Sequence, residues 1–337
     1  MLEIKKQIKE IAGVRFNAIP SEIINSDEPL VLKALVKEWP LVQSGLSSDS
    51  DACQYIRQYY TDRTVVLYKA APEKRGRFFY TEDCSDLGFE SKHVPLNTVL
   101  DQLIECKKET TPPTYYVGST TVDVCLPGFR DKNDLNISDQ NPLVSIWIGN
   151  RSRIAAHFDA PQNIACCAVG RRRFTVFPTD QAENLYMGPL DFTPSGQVIS
   201  MVDFAEPDFE KFPKFREALQ FAQVAELEPG DALVLPSMWW HHVESLSDIN
   251  VLINYWYRNV PRYMEPPTNV LHHAMLSLRD LPENEKKAWK ALFDYYIFDN
   301  QDNKYEHIPE NARGFLNPID DIRARQLRSW LINKLNR

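Results

Sequence analysis

The segment Arg153-Ile154-Ala155-Ala156-His157-Phe158-Asp159 carries an imidazole and a carboxylate two residues apart. Alternate residues of a β-strand share a face, so His157 and Asp159 point the same way if this segment is a strand. A third ligand must then come from another strand. Pro236-Ser237-Met238-Trp239-Trp240-His241-His242-Val243 offers two candidates. Only one of His241 and His242 can join the pair, because strand neighbours alternate in direction. Two imidazoles and a carboxylate on one face of an octahedral metal leave other positions open. That is the donor set of non-haem Fe(II) sites, where a co-substrate and dioxygen must both reach the metal. A site of three His and one Glu is disfavoured, since HxH is absent and no Glu follows Asp159 before Glu183. His272 and His273 are adjacent on a predicted helix and diverge. His93 and His307 are isolated and read as ordinary.

The elements that must position these residues are short strands. Leu143–Ile148, Asn163–Ala168, Arg172–Phe177, Ala232–Leu235 and Val251–Tyr257 are rich in β-branched and aromatic residues. Gly170 falls between two of them, where a hairpin needs a permissive backbone. Pro229-Gly230-Asp231 is a turn signal ahead of another. Pro29-Leu30-Val31-Leu32 reads as a further strand, and Ser50–Tyr60 and Leu96–Lys108 have helical spacing. Beyond residue 262 the pattern turns helical. Trp289, Leu292, Phe293, Tyr296 and Ile297 follow i, i+3, i+4 spacing. Asn317-Pro318 reads as an N-cap with proline at the first helical position. Ile319, Ile322, Leu327, Trp330, Leu331 and Leu335 then form an apolar stripe that needs cover. Arg323, Arg325 and Arg328 read as its solvated face. The expected division is α/β elements over 1–110, a strand-rich core over 111–262 and a helical extension over 263–337.

Composition narrows the function classes. The chain has 337 residues, 43% hydrophobic and 25% charged, which excludes a disordered chain. It holds no apolar run of the roughly 18 residues that read as a membrane span. The start, MLEIKKQIKE, lacks the apolar core of a signal peptide. The net charge of −8 disfavours a general nucleic-acid binder. No GxG occurs, so dinucleotide fingerprints, kinase glycine loops and the P-loop are excluded, and GxSxG and HExxH are absent too. The six cysteines, Cys53, Cys84, Cys106, Cys125, Cys166 and Cys167, contain no CxxC pair. They read as reduced, mostly buried thiols of a cytoplasmic protein, with Cys166 and Cys167 on opposite faces of one strand.

The stretches HFDAPQNIACCAVGRRRFTVFP (157–178), PSMWWHHVESL and VLINYWYR resemble the Jumonji-C, or cupin-like, branch of the Fe(II)- and 2-oxoglutarate-dependent oxygenases. Within it the likeness runs toward the asparaginyl hydroxylases, densest from about 115 to 258 and weaker at PLVLKALVKEWP (29–40). The resemblance implies a mainly β fold with flanking helices: a double-stranded β-helix of cupin or jelly-roll type, N-terminal α/β elements and a C-terminal helical extension. It implies Fe(II) held by His157, Asp159 and His241. It places the basic partner of the 2-oxoglutarate distal carboxylate on Arg172, whose planar fork suits a carboxylate. It places a tyrosine sharing that carboxylate on Tyr116, polar co-substrate neighbours on Asn163 and Asn254, and a pocket aromatic on Trp256. Trp239 and Trp240 are expected to help keep the pocket apolar. The chain departs from the pattern at Ile154, where the family has a threonine that helps hold 2-oxoglutarate. It departs again at Ala165 for an aromatic and at Gly118 for a glutamine that meets the peptide substrate. Substrate-facing positions change most, so the asparaginyl specificity does not transfer.

The implied activity is a dioxygenase that hydroxylates a protein or peptide side chain, with 2-oxoglutarate converted to succinate and carbon dioxide. Competing expectations are an oxygenase of a modified tRNA base or small metabolite, and a metal-binding cupin without turnover. The terminal helices suggest a homodimer.

Overall fold

The computed structural model describes residues 2–194, 196–299 and 304–336. The chain divides into two compact units, one ending at Arg258 and the other beginning at Asn259. In the first, the described residues form two sheets. The larger runs in the order β1 (Lys9–Ala12), β2 (Leu30–Lys33), β12 (Ala232–Leu235), β9 (Gln162–Val169), β14 (Asn250–Tyr257), β7 (Leu143–Gly149), β6 (Thr114–Thr121), β3 (Thr64–Ala70) and β5 (Glu90–Pro95). The smaller runs β11 (Gln223–Leu227), β10 (Arg172–Phe177), β13 (Trp240–Ser245), β8 (Arg153–Phe158) and β4 (Arg77–Phe78).

The neighbouring strands β12-β9-β14-β7 and β11-β10-β13-β8 are antiparallel throughout. Their inner faces meet in one apolar cluster. The larger sheet contributes Ala165, Cys167, Leu233, Leu235 and Leu252, and the smaller Phe174, Val176, Ala225, Leu227 and Val243. This is the double-stranded β-helix of the cupin or jelly-roll class. The outer face of the larger sheet, with Ile164, Cys166 and Ala168, packs against helices Pro40–Ser47, Asp49–Arg57 and Leu96–Cys106. Cys166 and Cys167 therefore lie on opposite faces of β9, as strand alternation requires. Five of the six thiols are buried, Cys84 is half-buried, and all are free. The first 95 residues supply β1 to β5, which extend both sheets.

Two local irregularities set the site. Gly170 joins β9 to β10 at φ +71°, and a Cβ there would sit 2.3 Å from the Ile249 carbonyl oxygen. Only glycine fits, and the turn delivers Arg172 to the start of β10. The second is a bulge in β8. His157 faces His241 and Ile154 faces Val243, so three steps on β8 match two on β13. The extra residue puts Ile154 and His157, three apart, on the same inner face.

In the second unit the helices are Pro267–Leu278, Glu283–Phe293 and Asp321–Leu335, with a single wider turn over Asp294–Phe298. The last helix does not start at Asn317-Pro318. Asp320 is its N-cap, accepting the Arg323 backbone N–H at 2.8 Å, and the Asn317 side-chain NH2 donates to the Glu310 carbonyl at 3.1 Å. A carboxylate at the cap also complements the positive helix end, which favours Asp320. Arg323 pairs with Asp320 and Arg328 with Glu265, and all three arginines are exposed or half-buried.

Candidate active site

His157 lies near the end of β8, Asp159 just past it, and His241 at the start of β13. One ligand atom from each lies within 4.8 Å of the others. His241 Nε2 is 3.7 Å from Asp159 Oδ2, and the two imidazole centroids are 4.2 Å apart. Each ring is oriented by the carbonyl two residues back on its own strand. His157 Nδ1 lies 2.9 Å from the Ala155 oxygen and His241 Nδ1 lies 3.0 Å from the Trp239 oxygen. An Nδ1–H donated there leaves Nε2 as a lone pair, the tautomer a metal needs. Burial, with His157 close by, pushes His241 down to about 4, so its imidazole is neutral near pH 7. Two imidazoles and a carboxylate converge in this way, and the donor set fits a divalent metal.

His242 faces the other way. Its ring packs on Phe204 at 4.6 Å, and burial, with Arg153 nearby, pushes it down to about 3. The alternation that left two candidates thus resolves to His241. Trp240 also turns outward, against Phe158 at 4.9 Å, and the Trp239 indole donates to the Asp27 carbonyl at 3.1 Å. Neither lines the site, which corrects the expectation that they would. Strand parity turns Trp240 away from the interior, whereas Trp239, just before β13, packs against the inner apolar cluster without reaching the cavity.

The triad opens into a cavity of about 540 Å³. Arg172 lies within it, only 1% exposed, and its Nε and Nη2 have no protein acceptor. The guanidinium shares a side-chain hydrogen bond with the Tyr116 hydroxyl. Burial pulls Arg172 down and pushes Tyr116 up, and their contact opposes both shifts. A buried cation with unused donors is costly to keep unless an anion completes it. Asn163, Asn254 and Trp256 line the same cavity, with the Asn254 amide donating to Asn163 Oδ1 at 2.8 Å and Asn254 Oδ1 unused. The eight residues expected at the metal and the co-substrate are brought together here.

Four further wall residues lie outside those eight. Tyr68, Phe78, Phe89 and Trp147 join Tyr116 and Trp256 in a continuous run of ring contacts at 5.3–6.4 Å. The first three come from β3, β4 and the approach to β5, whose pairing is long-range. Trp147 carried a signal, because it alternates with Val144, Ile146 and Ile148 on β7 and so faces inward. At Gly118 an added Cβ would stand 2.8 Å from Tyr68 Cε2, so the Tyr68 ring occupies the ground a larger residue would need. A larger depression of about 720 Å³ lies in the second unit beside Glu310, Phe315 and Arg323. The triad belongs to the 540 Å³ cavity.

Comparison with known proteins agrees with this geometry. The cupin-like domain family matches residues 17–263. The JmjC domain-containing protein D of Dictyostelium discoideum is 26% identical over 270 residues, covering 73% of this chain and 56% of that protein. Lysine-specific demethylase 8 of Xenopus tropicalis is 25% identical over 244 residues, 68% of this chain and 48% of that protein. Human HSPB1-associated protein 1 is 32% identical over 151 residues, 43% of this chain and 30% of that protein. The chain thus spans 56% or less of the length of each of these relatives. With the family match covering most of the residues that build both sheets, this chain belongs to the cupin-like, Jumonji-C family of 2-oxoglutarate oxygenases.

Proposed function

We propose that the protein is an Fe(II)- and 2-oxoglutarate-dependent dioxygenase that hydroxylates a protein or peptide side chain. The observation that carries this reading is one cavity holding both the His157–Asp159–His241 group and a buried guanidinium with unused donors. His157, Asp159 and His241 would hold the metal, with both imidazoles fixed by backbone carbonyls. Arg172 and Tyr116 would hold the distal carboxylate of 2-oxoglutarate, and Asn163, Asn254 and Trp256 would flank the co-substrate. Iron and 2-oxoglutarate, when bound, supply the dioxygen activation and the oxidising equivalents, with succinate and carbon dioxide as by-products. The protein orients both through fixed donors, and the aromatic wall keeps water from the reacting centre.

A macromolecular partner is supported by the name of one relative, HSPB1-associated protein 1. The net charge of −8 weighs against a tRNA substrate. Free, buried thiols fit a cytoplasmic setting, and no helix among the described residues is long and apolar enough to cross a membrane. A homodimer through the C-terminal unit is supported by its uncovered side chains: Leu276 is 81% exposed, Phe298 71% and Ile322 59%. Light scattering should give twice the chain mass, and a monomer would end that part of the proposal.

Protein purified without oxygen, loaded with Fe(II) and 2-oxoglutarate and exposed to air should form succinate. His157→Ala and Arg172→Ala should abolish it. If wild-type protein neither forms succinate nor binds 2-oxoglutarate, the dioxygenase reading fails and a cupin without turnover replaces it.

A further inference from the structure

Among the orphaned buried polar atoms of the cavity, donors predominate. Arg172 Nε and Nη2, Trp147 Nε1 and Trp256 Nε1 are all donors, all buried, and all without a protein acceptor. Asn254 Oδ1 is the acceptor among the cavity's orphaned atoms. Unpaired buried donors are costly, so a set of them marks the place of an acceptor that the chain does not supply. An indole N–H is donor-only and cannot be satisfied by turning over.

Trp147 stands on the Arg172 side of this cluster. Its ring stacks on Tyr116 at 5.8 Å and 27°, and Tyr116 is the hydrogen-bond partner of Arg172. Trp147 and Ile154 pack on the same small cluster around Tyr116 and Phe78. Ile154, in that cluster, offers no donor. We infer that the Trp147 indole N–H completes, with Arg172 and Tyr116, the cradle for the distal carboxylate of the 2-oxo acid. Trp147 is thereby a specificity-determining residue, selecting 2-oxo acids with a second carboxylate. The inference rests on the 2-oxoglutarate reading given above.

The test uses Mn(II)-loaded protein under nitrogen and calorimetric binding of two probes, 2-oxoglutarate and 2-oxovalerate, which lacks the distal carboxylate. Trp147→Phe keeps the ring and removes the N–H. It should weaken 2-oxoglutarate binding by about ten-fold or more, the scale of one hydrogen bond to a charged group, and leave 2-oxovalerate binding unchanged. Equal 2-oxoglutarate affinity in wild type and variant would overturn the inference, and would indicate that the N–H is satisfied by the Trp256 face, which meets Trp147 at 87°. An equal loss for both probes would overturn it as well, since that marks a general packing defect. Wild-type protein that binds neither probe would instead remove the underlying reading. If Trp147→Phe does not fold, the indole ¹H–¹⁵N resonances of wild-type protein decide. The resonance assigned to Trp147 should move with 2-oxoglutarate and not with 2-oxovalerate, and a Trp147 resonance that stays in place would overturn the proposal.

Discussion

His241 and His242 share a sequence environment and have opposite surroundings. One faces Asp159 across 3.7 Å, and the other lies against Phe204. His241→Ala should therefore cost more metal affinity than the roughly 10- to 100-fold lost with an outer-shell partner. His242→Ala should leave metal affinity unchanged and lower stability by about 1–3 kcal/mol, the usual cost of emptying a packed buried site. Metal titration and denaturant unfolding of the two variants separate these effects, and equal metal affinities would contradict the assigned faces. At this scale the sequence was most legible. His157 and Asp159 needed only strand parity and the chemistry of their side chains, while Arg172 was placed by the resemblance. Choosing between His241 and His242 needed the resemblance, because parity permits either until the register against β8 is known.

Among the elements, the β9–β10 hairpin does most to place Arg172. Gly170→Ala would strain a φ of +71° and press a Cβ to 2.3 Å from the Ile249 carbonyl oxygen. Left-handed backbone costs a non-glycine residue roughly 1–2 kcal/mol, and the clash adds to it. The denaturation midpoint should fall with an unchanged slope, and 2-oxoglutarate binding should weaken through the displaced Arg172. An unaltered midpoint would mean that the turn relaxes at little cost. The hairpin was readable from Gly170 between two β-rich runs. The bulge in β8 was not, since nothing in Arg153–Phe158 marks which residue is the extra one. That choice follows from the pairing of His157 with His241 and of Ile154 with Val243. The start of the last helix was not readable either, since Asn317-Pro318 and Asp320 are both good cap sequences and the helix takes Asp320, whose carboxylate complements the positive helix end.

For the whole molecule, ligands that bind only the folded state stabilise it by mass action, by about 2.7 kcal/mol at a hundred-fold excess over Kd. Metal should raise Tm, and a chelator should reverse the rise. 2-Oxoglutarate should add a further rise only when metal is present, because its two ends would be held by the metal and by Arg172. His157→Ala should remove both effects in thermal unfolding. An equal 2-oxoglutarate shift with and without metal would place its binding elsewhere. The change from strand-like to helical periodicity near 262 lies close to the boundary at Arg258. The joining of residues 9–95 to both sheets was not visible, because parallel and long-range pairings leave no local pattern.

Side-chain chemistry and period-two spacing, which are local properties, determined the donor set, the strand cores around it and, through recurring motifs, the oxygenase family. Tertiary structure decided which of two adjacent histidines meets Asp159, how a bulge brings Ile154 inward, and which aromatic residues wall the cavity. Those outcomes depend on register between strands far apart in the chain. Shifting a strand by one residue exchanges its faces, and the partner strands and their packing determine that register.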